Sequence, residues 1–552
     1  GNYAVTLARF TSGASGSANN NSRTLTLGSS TITASSEGFQ ANGVNFTFSA
    51  GTSQINISST SPSFGSFGGD AYTFYNISFT STSAGTVTIN GANSFNNLSF
   101  TGITSAGLKI IDLTANQTIT GTLTLSAGTN ATMRHFVRSN TIGTTRTLTC
   151  AAFSGTDADF RDITIAGAAA PVSGTRLGDC KGNSGITFPA AKTVYYSTAG
   201  GGNWGGGTWT LVPGTGGTAP NFPLAQDTAV FDSTNPASGQ TITVNAAYNI
   251  GTIDMSARTS NTMTLATSTN TPTIYGNWIN GTGTTLTGTG RMTFAGRGSQ
   301  TITSAGRTFT QAFTINSPSG SVTLQDAFVN SFNGTLDFLV GTFNANDYSL
   351  TLSGASSGFV VASGTYPSRT VAVGSGTWIL GGSNGFNVQG TSGLSVTGTG
   401  TISLTNASAK TFQGSGISYS GITLNQGGAG ALTITGNNTF ANITNTYSAT
   451  GATNITIGTT TQRVTQWTAT GAATRVLTVQ GTSASSPGTL ILTGGTDPNV
   501  DYLAITGVRA YSLTDTWYAG NNSTNNGSLG WYFETAPVPP VLAAGNFLMF
   551  FN

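Results

Sequence analysis

Charge is what this sequence has least of. Of 552 residues, 19 are Lys or Arg and 17 are Asp or Glu, 7% in all, where an ordinary soluble domain carries roughly 25%. A net charge of +2 over that length leaves no electrostatic footprint for nucleic acid or an anionic membrane surface. One histidine and two cysteines are too few for a zinc cluster of Cys and His, so no metal and no cofactor is expected. No run of about 18 apolar residues exists, and no helix of this chain spans a bilayer. Proline is scarce at 15, and with 76 glycines the pair makes 91 of 552 residues, below the roughly 25–30% of low-complexity disorder. Glu and Lys, strong helix formers, are nearly absent, and no apolar stripe of helical period replaces them. The start Gly1-Asn2-Tyr3-Ala4-Val5-Thr6-Leu7-Ala8-Arg9 lacks the basic-then-apolar order of a signal peptide. A signal removed before Gly1 and loss of an initiator Met would both give that start, so localisation stays open on this point.

What is abundant is a two-residue rhythm: apolar, Thr or Ser, apolar, then Gly or Asn. Val87-Thr88-Ile89, Leu123-Thr124-Leu125, Ile242-Thr243-Val244 and Leu432-Thr433-Ile434 are examples. This is the signature of half-buried strands, and Thr suits their wet face because its branched side chain fits a pleated surface. Between residues 371 and 404 the pairs Val371/Val373, Trp378/Leu380, Phe386/Val388, Leu394/Val396 and Ile402/Leu404 follow one another at steps of seven or eight. Steps that short and even fit the sides of a solenoid coil better than the strands of a string of β-sandwiches, the alternative. Three such sides make a coil of roughly 24 residues, and roughly 20 coils at about 4.8 Å each make a rod on the order of 100 Å. The fold expected is all-β: an elongated right-handed parallel β-solenoid in two related modules.

A duplication supports the modules. Residues 73–102 align without a gap on 418–447 at an offset of 345, pairing Phe74 with Tyr419, Ile77 with Ile422, Val87 with Leu432, Ile89 with Ile434, Phe95 with Phe440 and Asn97 with Asn442. Gly155-Thr156-Asp157 matches Gly495-Thr496-Asp497 at 340, as Ile165 matches Ile505 and Gly167 matches Gly507, and Gly185–Phe188 matches Gly530–Phe533 at 345. A weaker third copy at 308–338 places Phe309, Val322 and Leu324 at 235 beyond Phe74, Val87 and Ile89, with Phe332 following Phe95 by 237. The division read from this is a first solenoid module at 1–190, a Gly/Trp/Pro-rich junction and cap at 191–225, a second module at 226–535, and a Pro-rich linker with an apolar docking tail at 536–552. Trp204 and Trp209 are expected to cover the end of the new stack, since an open edge must be capped; a sugar-binding platform is the other reading. The tail from Val541 to Phe551 is too short to span a membrane and too apolar to stay in water. Phe547, Leu548, Phe550 and Phe551 are its expected assembly residues, docked on a neighbouring subunit.

Catalysis needs convergent polar groups, and the densest charged stretch is 134–181, which holds Arg134, His135, Arg138, Arg146, Asp157, Asp159, Arg161, Asp162, Arg176, Asp179 and Lys181. Asp157, Asp159 and Asp162 are the candidate acid and base for glycoside hydrolysis, at separations of about 5–10 Å. A turn or solvated-face role is the preferred reading, because Asp shapes turns through its own backbone hydrogen bonds. His135 has no nucleophile motif near it and is expected at a surface or interface. Gly200–Gly207 lacks the Lys-Ser/Thr of a phosphate loop. No catalytic residue is assigned and the chain is read as a non-enzyme. Cys150 falls on Leu490 or Leu492, an inward position, and Cys180 on the loop residue Asn525, so the two thiols are expected unpaired.

The segments FAGRGSQTITSAGRTFTQAFTIN at 294–316, DADFRDITIAG at 157–167, NFPLAQDTAVFDS at 221–233 and WYAGNNSTNNGSLGWYF at 517–533, with the Phe-x-Asn repeats, resemble the β-helical, Gly/Thr/Ser/Asn-rich fibre and tail-associated proteins of tailed bacteriophages that infect aquatic bacteria. The resemblance covers most of residues 40–535. It implies a structural or host-adhesion fibre on the virion surface: a tail fibre, a tailspike-like protein or a head fibre. It also implies other virion proteins as partners, a homotrimer, and a host surface glycan or receptor. The family offers no catalytic residues to carry over. A secreted bacterial cell-surface adhesin and a glycan-cleaving tailspike are the alternatives.

Overall fold

The computed structural model describes residues 3–12, 22–41, 45–66, 71–206, 208–218 and 221–537. The expected assembly residues Phe547, Leu548, Phe550 and Phe551 lie outside the described residues. The described chain is all-β, without an α-helix, and its stacked parallel strands form a β-solenoid of about 21 turns. It divides into two compact units, one of residues 1–348 with 366–372, the other of 349–365 with 373–552.

Unit 1 contains two stacks. The first runs from the strand Ala4–Ser12 to Ile186–Thr187, the second from Thr193–Tyr196 onward. In the first stack Ile55 pairs with Ile77 and Phe74 with Phe95, one coil apart. Each coil therefore places an apolar side chain directly over one from the coil before, and the lumen becomes a column of Phe, Ile, Leu and Val. Phe74, Ile77 and Phe79 are each 1% exposed, and burying such a side chain contributes roughly 1.5–3 kcal/mol. The intervening Thr, Ser and Asn face outward and bond from coil to coil. Ser78 and Ser99 share a hydrogen bond of 2.7 Å, and the amides of Asn96 and Asn97 both donate to Asn76 Oδ1 at 3.0 Å. In unit 2 Trp378 pairs with Ile402 and Leu380 with Leu404, which is the three-sided coil of 24 residues expected from the eight-residue steps. Leu394 and Val396 depart from it, remaining only half-buried.

The duplication holds in three dimensions, each copy within its own unit. Phe74 pairs with Phe95, rings stacked at 5.7 Å and 15°; Tyr419 pairs with Phe440, rings stacked at 5.5 Å and 16°. Beyond that point the second copy slips by two residues, so that Leu424 rather than Ile422 faces Ile443. A buried amide pair recurs at the same offset, unnoticed in the sequence. Asn93 Nδ2 donates to Gln117 Oε1 at 3.3 Å and Asn438 Nδ2 to Gln462 Oε1 at 3.0 Å. In both copies the Gln amide donates to the carbonyl of a glycine, Gly91 or Gly436, at 2.8 Å. These glycines have φ of 72° and 81°, the left-handed region that turns the chain sharply at the corner.

Two alignments need correction. In the closing segment the offset is 345 and not 340, after an interval of 342 in which Val137 answers Val479 and Cys150 answers Leu492. Asp157 corresponds to Tyr502, with φ of 53° and 55°, and Asp162 to Gly507, with φ of 57° and 59°. Val137 pairs with Phe160 where Val479 pairs with Ile505, so Phe160 and not Ile165 holds the place of Ile505. The Gly-Thr-Asp match was a coincidence of turn composition. In the third copy Phe332 is half-buried, and Phe328 takes the core place, its ring stacked on Phe309 at 4.9 Å.

Trp204 and Trp209 are fully buried at the beginning of the second stack, packed with Tyr196 and Phe231, and Trp209 Nε1 donates to the Trp204 carbonyl at 2.9 Å. They plug that end from inside, and no ring face is left for a sugar.

Candidate functional site

The charged stretch 134–181 forms one structure and is not a solvated face, although Asp157 and Asp162 stand at bends between strands, as the turn reading expected. On the strands Gly107–Leu113 and Met133–Ser139 the outward positions carry Leu108, Ile110 and Asp112 beside Arg134, Phe136 and Arg138. Elsewhere Thr or Ser would stand there. This face packs sideways against the second stack, in an apolar patch of Phe136, Cys180, Ala225, Tyr275 and Ala295, with Leu108, Ile110 and Ile142 at its margin.

The charges surround and lock that contact. Arg134 donates from Nε and Nη2 to Asp159 Oδ1 at 3.0 and 2.6 Å, and Asp159 Oδ2 accepts from Asn249 Nδ2 of the second stack at 3.0 Å. Arg297, also of the second stack, grips both oxygens of Asp162 at 2.5 and 2.6 Å, and the Gly143 amide donates to the same carboxylate at 3.0 Å. Arg176 holds both oxygens of Asp157 at 2.5 and 2.6 Å. Gln226 bridges by accepting from the Asp179 amide at 2.9 Å and donating to the Leu177 carbonyl at 3.1 Å. The guanidinium groups of Arg138 and Arg161 lie 5.3 and 5.5 Å from the Phe136 ring.

Asp157, Asp159 and Asp162 are 0%, 1% and 2% exposed. Buried ions persist only when paired and hydrogen-bonded, and each of these carboxylates has its arginine. A general acid must reach its substrate, but Asp159 and Asp162 face the docked stack and Asp157 is closed off by Arg134 and Arg176 of its own stack. The sequence reading that made them solvated is overturned: chain folding brings the second stack over Asp159 and Asp162, and first-stack arginines enclose Asp157. Two of the three do take left-handed backbone, Asp157 at φ 53° and Asp162 at 57°, which Asp tolerates better than most residues.

His135 is likewise inside, 1% exposed, and donates from Nε2 to the Ser126 carbonyl at 2.8 Å. Desolvation, with smaller contributions from Lys109 and Arg134, lowers it to about 4. Lys109 pairs with His135 in register and is 1% exposed; its ammonium bonds the carbonyls of Ser81 and Thr101, and burial lowers it to about 8. Lys410 does the same in unit 2, bonding the carbonyls of Asn406, Gly428 and Gly430, and is also lowered to about 8 by burial. These inward cations satisfy backbone oxygens where the coil bends.

Cys150 and Cys180 are free thiols and both are buried. Cys150 pairs with Ile119 as Leu492 pairs with Val464, an inward place as expected. Cys180 is not on an exposed loop but sits in the apolar contact between the stacks, where desolvation pushes its thiol well up. Among the described residues no group of His, Cys, Asp and Glu is arranged to hold a metal ion, and no helix is long and apolar enough to cross a membrane. Comparison with known proteins returned no match: no family model, no curated protein and no solved structure.

Proposed function

We propose that this protein is a non-enzymatic structural or host-adhesion fibre on the surface of a bacteriophage particle, as a tail fibre, a tailspike-like protein or a head fibre. The observation that carries the reading is where the polar side chains point. The densest cluster of charge is turned inward to hold one stack to another, while the outer walls carry rows of hydroxyl and amide groups bonded coil to coil. A solenoid built this way is a stiff spacer, since each coil is tied to its neighbours along its whole length. Rows of Thr, Ser and Asn offer a wettable surface for a host glycan or receptor without charge repulsion between parallel copies. Trimeric assembly with other virion proteins follows from the family resemblance. Immunogold labelling of purified particles with an antibody to residues 73–190 tests the reading. Gold on the particle exterior is the expected result; gold confined to the envelope of uninfected bacteria would make the protein a bacterial adhesin instead.

A further inference from the structure

The last coils of unit 2 carry an open groove that the stack itself does not fill. Its floor is an outward row in which Arg463 pairs with Ile491 and Ile491 with Tyr511, on the strands Thr461–Thr468, Gly488–Leu492 and Val508–Tyr511. Thr493-Gly494 forms one wall and Ser512–Thr514 the other. The groove encloses about 720 Å³, within the range of roughly 300–1,000 Å³ of built ligand sites. Its lining breaks the rule that outward positions are Thr, Ser or Asn: Ile491 stands on the floor, Tyr511 is 53% exposed and Leu513 is 102% exposed. Apolar side chains gathered in a concave outward site are what a bound partner would cover.

The chain supplies one nearby. Trp531 lies 4.9 Å from Trp517, ring to ring, and Trp517 Nε1 donates to the Tyr511 carbonyl at 3.0 Å. The Glu534 carbonyl then accepts from the Gly520 amide at 3.2 Å. The polypeptide thus leaves the stack beside the groove. From Ala536 to Asn552 no side chain is charged, and Val541, Leu542, Phe547, Leu548, Met549, Phe550 and Phe551 are apolar. Sixteen residues beyond Thr535 can span at most about 50–60 Å, ample for a site one coil away. A tether that short places the segment at an effective concentration on the order of millimolar, above that of any second copy in dilute solution.

We infer that the groove binds the chain's own C-terminal segment, Val541–Phe551, which caps unit 2 in cis by covering Ile491, Tyr511 and Leu513. This places the tail on its own stack, where the sequence alone suggested a neighbouring subunit, and it holds whatever the protein adheres to.

The test uses the full chain with photoreactive benzoylphenylalanine in place of Leu513, whose full exposure makes it tolerant of replacement. After irradiation, cross-linked fragments are mapped by mass spectrometry in an equal mixture of ¹⁴N and ¹⁵N chains. The expected result is cross-links to 541–551 that join only fragments of like label. The same reagent at Ile379, exposed on another coil of unit 2, should give none. Mixed-label cross-links would put the tail on a second copy and overturn the inference, as would cross-links from Leu513 that miss the tail. A second variant, Leu513→Asp, should lose protection of the Phe547–Phe551 bonds against chymotrypsin; equal protection in both proteins would also overturn it.

Discussion

Removing Arg297 should undock the first stack from the second without dismantling either. Arg297→Met keeps the aliphatic stem and deletes the charge that holds both oxygens of Asp162 at 2.5 and 2.6 Å. The Asp162 side chain is 3% exposed and that of Arg297 16%, so this pair belongs with buried pairs, whose breaking costs roughly 3–5 kcal/mol. Asp162 retains the Gly143 amide at 3.0 Å and Arg161 at 3.6 Å, which places the expected loss near the lower end, about 3 kcal/mol. An exposed surface pair would give only about 0.2–1 kcal/mol. The sequence offers a convenient separation of signals: all seven tryptophans lie at or beyond residue 204, outside the first stack. Urea unfolding followed by far-ultraviolet circular dichroism reads every strand, while tryptophan fluorescence reads only what lies outside the first stack. Arg297→Met should move an early part of the dichroism transition to lower urea and leave the fluorescence midpoint in place. The double variant Asp162→Asn/Arg297→Met should lose less than the sum of the two single variants by roughly 1–3 kcal/mol. A loss under about 1 kcal/mol in Arg297→Met, or strict additivity in the cycle, would refute the view that this pair is a lock.

Three further outcomes are expected. His135 is held at about 4 inside the first stack against about 6.5 when unfolded. The folded protein thus disfavours the proton, its stability is complete above pH 6.5, and up to about 3 kcal/mol is lost as pH falls toward 4. His135→Gln should flatten that part of a pH series of urea midpoints. Phe95→Ala and Phe440→Ala should each cost roughly 3–5 kcal/mol in the same unfolding assay, because the two rings are 1% and 0% exposed in equivalent stacks; a large cost at one and none at the other would break the equivalence of the copies. Cys150 is 1% and Cys180 0% exposed, and burial raises the first to about 11 and the second well up. Neither thiol should react with a water-soluble disulfide reagent until denaturant is added, and rapid labelling of the native protein at pH 8 would contradict their placement.

The fold was legible because every coil repeats one local instruction. Apolar residues two apart, with Gly or Asn at each corner, give strands whose length and spacing leave few closed forms, and Trp378 over Ile402 is the direct consequence. The slip at Ile422 and the exchange of Phe332 for Phe328 were not legible, since a shift of two residues keeps the same faces inward and leaves the periodicity unchanged. The charged cluster was misread for a different reason. Asp157, Asp159 and Asp162 look solvated when only their own strand is considered, and the groups that cover Asp159 and Asp162 lie far along the chain, at Asn249 and Arg297. A signal was present nonetheless. Leu108, Ile110 and Phe136 stand where the alternation calls for Thr or Ser, and an apolar outer face demands a partner. The same departure at Ile491, Tyr511 and Leu513 marks the groove of unit 2.

The claim that this solenoid attaches without cutting is tested most directly by one co-sedimentation measurement. Purified protein is mixed with envelope glycan of the host bacterium that the proposed phage reading requires. Bound protein and newly released reducing ends are then measured together over several hours. The account predicts saturable binding with no release of reducing ends, and the same result for Asp159→Asn if that variant remains folded. Release of reducing ends by the native protein, abolished in folded Asp157→Asn or Asp159→Asn, would contradict it and return those carboxylates to the role of acid and base.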